Sequence, residues 1–427
     1  MKEIVKQNIV KQNKEKKQGR RGFLKKSVAL AGLATVAGIE TAESQTPKTG
    51  TIRRRQKDLE AYGERSQYVT SVREGPEHAD PFGLMAHLYT PLQDLTGIIT
   101  PASLHYVMAH KGFYQPEIDP EKHQLLIHGM VDRPLIFSMA DLKRFPSVTR
   151  VHYLECNGNK ARPEHKTVQR ACGLTSCSEW TGVPLPLLLK QAGVQKGAAW
   201  IVAEGAEDNK GAISIPLAKA MMDTIVAYGQ NGEPLRPQNG FPIRLLVPGF
   251  EGVVNVKWLR RIKVTDEMAM TYNEMGRYAG VHPKSVNPIP WEQGPKSAIT
   301  FPSGGQKLSG PGHYQISGLA WSGGGAVRKV EVSTDGGKSW KEAEIQSAVH
   351  RMAHTRFGMD WVWDGKDCVL MSRCTDELGQ YQPTVAEFAK FWDDTIEQAY
   401  RHPFNGQANY ILPWKVDQEG NVTNGLS

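Results

Sequence analysis

The feature that most constrains this chain is a change of periodicity near residue 290. Before it, short strand-like and helix-like segments alternate. After it, apolar and polar residues alternate in runs separated by tight turns. Pro288, Pro290 and Pro295 lie at the change and mark a linker. A chain of 427 residues is also long for one hydrophobic core. Two unlike folded parts are therefore predicted: a mixed domain of short strands and short helices over 96–290 and an all-β sandwich over 296–420.

In the first part, Gln124 to Gly129 and Leu135 to Phe137 read as strands joined at Asp132-Arg133-Pro134. Ser138-x-x-Asp141 caps a short helix, Met139 to Arg144. Val151 to Glu155 reads as a buried strand leading to Cys156. Pro184 to Ala192 is a helix stopped by Gly193, and Pro216 to Met222 is another. Phe241 to Val247 and Val256 to Thr265 are the best strands. In the second of these, Val256, Trp258, Ile262 and Val264 share a face opposite Lys257, Arg261 and Lys263. In the tail, Val330 and Val332 alternate with Glu331 and Ser333, Asp335-Gly336-Gly337 turns, and Ser339-Trp340 begins the return. Trp361, Trp363, Val369 and Met371 continue the alternation.

Charge and apolar content exclude several functions. The formal charge is +8, but residues 1–46 contribute +6 of it and leave a nearly balanced body. That gives no electrostatic basis for nucleic-acid binding. No apolar run reaches the roughly 18 residues of a membrane span. Arg20-Arg21-Gly22-Phe23-Leu24-Lys25, followed by the apolar run Val28 to Ile39, reads as a twin-arginine export signal over 1–46. A periplasmic protein that folds around a cofactor before export is the expectation. Residues 47–95 read as an extended or helical lead-in.

Cys156, in Leu154-Glu155-Cys156-Asn157-Gly158-Asn159, is the principal chemical candidate. A lone cysteine at the end of a strand is a nucleophile, a ligand for a soft metal, or a small buried hydrophobe. The sequence alone leaves the three open. The five cysteines form neither a disulfide framework nor a common zinc pattern, and Cys172, Cys177, Cys368 and Cys374 read as structural. The chain has no C-x-x-C-H, so no covalent haem is expected in it.

Cys156-Asn157-Gly158-Asn159, Trp180-Thr181-Gly182-Val183-Pro184-Leu185, Phe241 to Gly249 and Val256-Lys257-Trp258-Leu259 together resemble the sulfite oxidase family of molybdopterin enzymes. Ile127-His128-Gly129, Ser176 to Gly182, Ser317 to Gly323 and Val330 to Gly337 are similar to its periplasmic sulfane dehydrogenase branch, in the same order from about residue 95 onward. The resemblance implies a molybdenum-molybdopterin cofactor with Cys156 as the protein's thiolate on the metal and Tyr278 at the active site. Arg244 and Lys257 would bind the pterin and its phosphate, with Asn255 and Val256 offering backbone groups beside them. His110, Asp208 and Asn239 would complete the cofactor site. It further implies an α+β molybdopterin-binding domain followed by an all-β immunoglobulin-like sandwich that forms the dimer contact, oxidation of reduced sulfur, a c-type cytochrome subunit as electron acceptor, a sulfur-carrier protein as substrate, and assembly as a homodimer or heterotetramer. Sulfite dehydrogenation and sulfoxide reduction are the alternatives within the family.

Two positions depart from the pattern. In His105-Tyr106-Val107-Met108-Ala109-His110, Met108 stands where the family carries an arginine, which argues against free sulfite as substrate unless Arg162 or Arg170 supplies the charge. Asn239 stands where animal enzymes carry histidine.

Overall fold

The computed structural model describes residues 65–66, 68–75, 86–113, 115–207, 211–271, 273–274, 291–401 and 407–426, with backbone alone at 109–113. Met1–Tyr68 and Val69–Ser427 are separate units, and the elements below belong to the second. The twin-arginine segment and most of the lead-in lie outside the described residues. Among the described residues, no helix is long and apolar enough to cross a membrane.

Two five-stranded sheets make the first part. One has the order Leu135–Ser138, Gln124–Gly129, Leu259–Thr265, Trp200–Gly205, Ala212–Pro216. Its central strand runs parallel to Gln124–Gly129 and antiparallel to Trp200–Gly205. The capping box at Ser138 and Asp141 forms as expected, each side chain meeting the other residue's backbone N–H at 3.1 and 3.0 Å. Helix Leu185–Ala192 buries Leu185, Leu188, Leu189 and Ala192 against Leu125, Ile127 and Ile201. It stops at Gly193, where φ is +75° and a Cβ would strike Asp132.

The other sheet orders Glu233–Pro234, Ile225–Gln230, Thr175–Pro184 and Val148–Glu155, with Arg244–Leu246 also pairing to Ile225–Gln230. It delivers Cys156 at the end of its longest hairpin.

Two of the expected strands are shorter than the alternation suggested. Only Arg244–Leu246 of the Phe241–Val247 run is strand. Pro242 has no N–H to give a ladder. The other strand begins at Leu259, so Val256, Lys257 and Trp258 do not share its faces. Trp258 has φ +51°, which resets the alternation. The backbone of this segment bonds in two directions: Leu245 N–H to the Val256 carbonyl (2.8 Å) and Ala206 N–H to the Trp258 carbonyl (2.8 Å). Lys257 therefore sits on a bridge between two sheets, not on a solvated sheet face.

The tail forms a two-sheet sandwich. One sheet orders Lys296–Phe301, Gly312–Trp321, Thr355–Trp363 and Glu344–Ile345. The other orders Lys341–Glu342, Val327–Ser333, Cys368–Asp376, Trp414–Val416 and Val422–Asn424. Ile316, Leu319, Val330, Val332, Phe357, Trp363 and Leu370 fill the space between them. Gly318 is required by that packing, since a Cβ there would lie 2.4 Å from the Phe357 ring. Ser339-Trp340 precedes the return strand, which starts at Lys341 and is two residues long. The tail also holds two helices, Val385–Trp392 and Ile396–Arg401, that the all-β reading did not contain. Their signal was present in Thr384-x-x-Glu387, which forms a capping box.

Candidate active site

Cys156 follows strand Val148–Glu155 directly. Its N–H bonds the Leu174 carbonyl (3.0 Å), its carbonyl accepts from Asn159 N–H (2.9 Å), and its sulfur accepts from Gly158 N–H (3.4 Å). Tyr106, Leu154, Leu174, Trp180 and Leu246 bury it, and Met108, Tyr89 and Phe241 close the same cluster. Burial pushes the thiol up to about 12, with Glu251 and Glu155 adding to the rise and Gly158 N–H opposing it. A thiol held there stays protonated at neutral pH, which argues against a free nucleophile. A cation bound directly to the sulfur would favour the thiolate.

The motif segments converge on this residue through close backbone approaches. A Cβ on Gly252 would lie 2.9 Å from the Glu155 carbonyl oxygen, 3.0 Å from the Tyr106 hydroxyl and 3.3 Å from Cys156 Cα. The turn Gly252–Val254 thus packs on the cysteine loop and leads into Asn255, Val256 and Lys257. Gly240, at φ +109°, has Arg244 Cβ and Lys257 Cα each 3.1 Å from where its own Cβ would be.

Two cations stand in this region. Arg244 is buried, lies 5.2 Å over the Trp180 ring, and donates to the carbonyls of Asn239 (3.0 Å) and Asn255 (2.8 Å). Its Nε has no hydrogen-bond partner among the described residues. Half-buried Lys257 lies 4.3 Å over Trp258 and donates to the carbonyls of Met108 (3.2 Å) and Gln238 (3.3 Å). Burial lowers Arg244 to about 10. It lowers Lys257 to about 8, with Arg244 adding to the effect and Glu207 opposing it. Among the described residues, neither cation has a carboxylate at salt-bridge distance. Desolvated cations bonded only to neutral carbonyls, one with an orphaned N–H, fit an anionic ligand such as a pterin phosphate.

The remaining expected site residues divide into three groups. Asn239 and Asn255 are buried and spend their side chains inside the protein. Asn239 Nδ2 donates to Gln230 Oε1 (2.8 Å) and the Ala102 carbonyl (3.3 Å); Asn255 bridges Val247 N–H (2.7 Å) and the Glu251 carbonyl (2.9 Å). What they aim is Arg244, through their carbonyls. Val256 is buried, and its carbonyl is taken by Leu245. His110 lies on strand Val107–Phe113, its side chain outside the described residues, as are Asp208 and Tyr278 altogether.

Met108 pairs with His87 on that strand, and its side chain joins the cysteine cluster. Arg170 stacks 4.5 Å over Tyr89, a member of the same cluster, but donates to the Gly75 carbonyl (2.9 Å) and faces Glu74 (3.7 Å). Arg162 is 43% exposed and pairs with Glu164.

Three buried polar residues here carried no sequence signal of their own. Glu155 precedes Cys156. Glu251, with neither carboxyl oxygen bonded among the described residues, is raised to about 8 by burial and then by Glu155. His105 is lowered to about 3 by burial and stacks on Tyr106 (5.0 Å). Among the described residues, no three metal-ligating side chains of the His, Cys, Asp and Glu types come together.

Residues 112–273 match the oxidoreductase molybdopterin binding domain family, and 288–393 match the Mo-co oxidoreductase dimerisation domain family. The chain is 36% identical to the NADH nitrate reductase of Cichorium intybus over 62% of its own length and 32% of that protein. It is 33% identical to the mitochondrial sulfite oxidase of Rattus norvegicus over 67% of its own length and 58% of that protein. It therefore spans about a third to just over half of these curated relatives. Its structure is similar to that of the sulfane dehydrogenase SoxCD from Paracoccus pantotrophus, with TM-score 0.80, 35% identity, and coverage of 89% of this chain and 97% of that chain. With a molybdopterin-binding domain followed by the dimerisation sandwich, the chain belongs to the sulfite oxidase family of molybdopterin oxidoreductases.

Proposed function

We propose that this protein oxidises sulfane sulfur bound to a carrier protein, as the molybdopterin subunit of a periplasmic thiosulfate-oxidising system. The observation that carries the reading is Met108, a thioether packed into the cluster that buries Cys156. A guanidinium there would favour a small free dianion, whereas a polarizable apolar side chain suits a sulfur chain on a tether. The similarity to a sulfane dehydrogenase structure supports the same choice.

When bound, the molybdenum-molybdopterin group supplies the two-electron oxygen-transfer chemistry. Cys156 would be the metal ligand, and Arg244 and Lys257 would hold the pterin phosphate. Asn239 and Asn255 aim Arg244 through their carbonyls, and Val256 fixes the backbone beside Lys257. His110 and Asp208 would serve the cofactor and Tyr278 the substrate, roles carried by the family resemblance alone. Trp180 and Leu246 exclude water from the sulfur. A c-type cytochrome subunit would be the electron acceptor, the sandwich would join protomers, and Arg20 and Arg21 would direct export through the twin-arginine pathway.

The test compares a persulfidated carrier protein, free sulfite, a sulfoxide and nitrate as substrates, with cytochrome c or a reduced dye as redox partner. Preferred oxidation of the carrier-bound sulfane is expected. Tight, efficient sulfite oxidation with Met108 in place would move the reading to a sulfite dehydrogenase. Cys156→Ser should abolish turnover in a folded protein, because a hydroxyl is a poor ligand where a soft thiolate is needed.

A further inference from the structure

Glu155, the residue before Cys156, is 0% exposed, and four N–H donors satisfy its carboxylate. Lys296 Nζ (2.9 Å) and Asn159 Nδ2 (2.8 Å) bond Oε1, while Trp321 Nε1 (2.8 Å) and Gln407 Nε2 (2.8 Å) bond Oε2. Three of the four come from the chain after residue 290, on or beside the sandwich. Gln293 Nε2 also donates to the Glu155 carbonyl (3.2 Å). The loop is closed on its other side, since Asn159 Oδ1 accepts Leu174 N–H (2.9 Å) and the Leu174 carbonyl takes Cys156 N–H. The Trp321 ring is itself fixed, packed 5.1 Å from His354 and 6.3 Å from Tyr153.

A buried ion pair is no better for stability than apolar packing of the same volume. It does supply direction. A carboxylate held by four donors in a dry interior cannot rotate without leaving N–H groups unpaired, and its Cα is bonded to the peptide that carries Cys156. We infer that Lys296, Trp321 and Gln407 are positioning residues, through which the sandwich domain sets the Cys156 sulfur by way of Glu155. This rests on the reading of Cys156 as the thiolate ligand, and it gives the C-terminal domain a task beyond joining protomers.

The experiment uses the full-length chain with Trp321→Phe, Gln407→Met and the pair combined. Phe keeps the ring and deletes one donor; Met keeps the length and deletes another. Three readouts are taken: molybdenum content, the energy of the thiolate-to-molybdenum absorption band, and the rate of Cys156 alkylation by iodoacetamide in chain made without molybdenum. The double variant should shift the band and alkylate faster at Cys156, with buried Cys172, Cys177 and Cys374 still protected. Its kcat should fall by about tenfold while KM holds, as for other partners that orient a metal ligand. A folded double variant with band and alkylation rate unchanged would overturn the inference. If the double variant does not fold, Trp321→Phe alone decides by the same two readouts. Cys156→Ser separates the underlying reading: persistence of the band in that variant would reject Cys156 as ligand, whatever the clamp variants do.

Discussion

One charge cluster is buried directly beside Cys156, and a second, of buried Arg244 and half-buried Lys257, meets the residues packed around it; the two are built in opposite ways. At Glu155, anion and cation are both present and every oxygen has its donors. At Arg244 and Lys257, two cations meet neutral carbonyls and aromatic faces, with no carboxylate at salt-bridge distance and one orphaned N–H among the described residues. The first cluster is complete within the protein. The second has no carboxylate partner among the described residues, and an anionic ligand would complement it. A completed buried pair reads as architecture, whereas uncompensated buried charge reads as a place for a ligand.

The sharpest way to break this contrast is to delete one cation from each cluster. Lys296→Met strands the Glu155 carboxylate in a dry interior and should cost about 3–5 kcal/mol in chemical denaturation. Adding Glu155→Gln should recover much of that loss. Arg244→Met should behave differently: no comparable loss of stability in cofactor-free protein, but at least a tenfold fall in molybdopterin content, given that charged hydrogen bonds are worth roughly 1.5–3 kcal/mol each. Equal destabilisation by the two variants would erase the distinction.

Met108→Arg tests the substrate side of the same pocket. It should improve apparent sulfite affinity severalfold in steady-state kinetics, most at low ionic strength where screening is weakest.

The smallest effect concerns pH. Below about 8, Lys257 is a cation held against its desolvation, so its folded value lies under the ordinary lysine range. The unfolded state then binds more protons between about 8 and that range, and stability rises with pH there. Cofactor-free Lys257→Met should therefore exceed the parent in Tm most at pH 7, with the advantage shrinking as pH climbs through 8. A pH-independent difference would mean that Lys257 carries no such penalty.

Much of this was legible before any coordinates. The Ser138–Asp141 box, the stop at Gly193 and the Val151–Glu155 strand running into Cys156 depend on residues a few positions apart, where spacing and chemistry are read together. The reading failed where local alternation was overridden. Val256 and Trp258 looked like a strand face, yet the positive φ at Trp258 and bonds to two different sheets lift Lys257 off it. Asn239 and Asn255 were expected to meet a cofactor, but their side chains turn inward and their carbonyls accept from Arg244. Thr384 and Glu387 carried a helix signal that the surrounding strand periodicity concealed.

The sequence by itself determined the two-part architecture and the order of its motifs, because each is written in periodicity or in a short run of residue types, and it singled out Cys156 without deciding its role. Only the tertiary structure decided which charges are answered. The donors to Glu155 lie 4, 141, 166 and 252 residues away along the chain, and among the described residues the cations at Arg244 and Lys257 have no carboxylate partner. Pairing of a buried charge depends on what packing places within about 3 Å of it, and no local pattern records that distance.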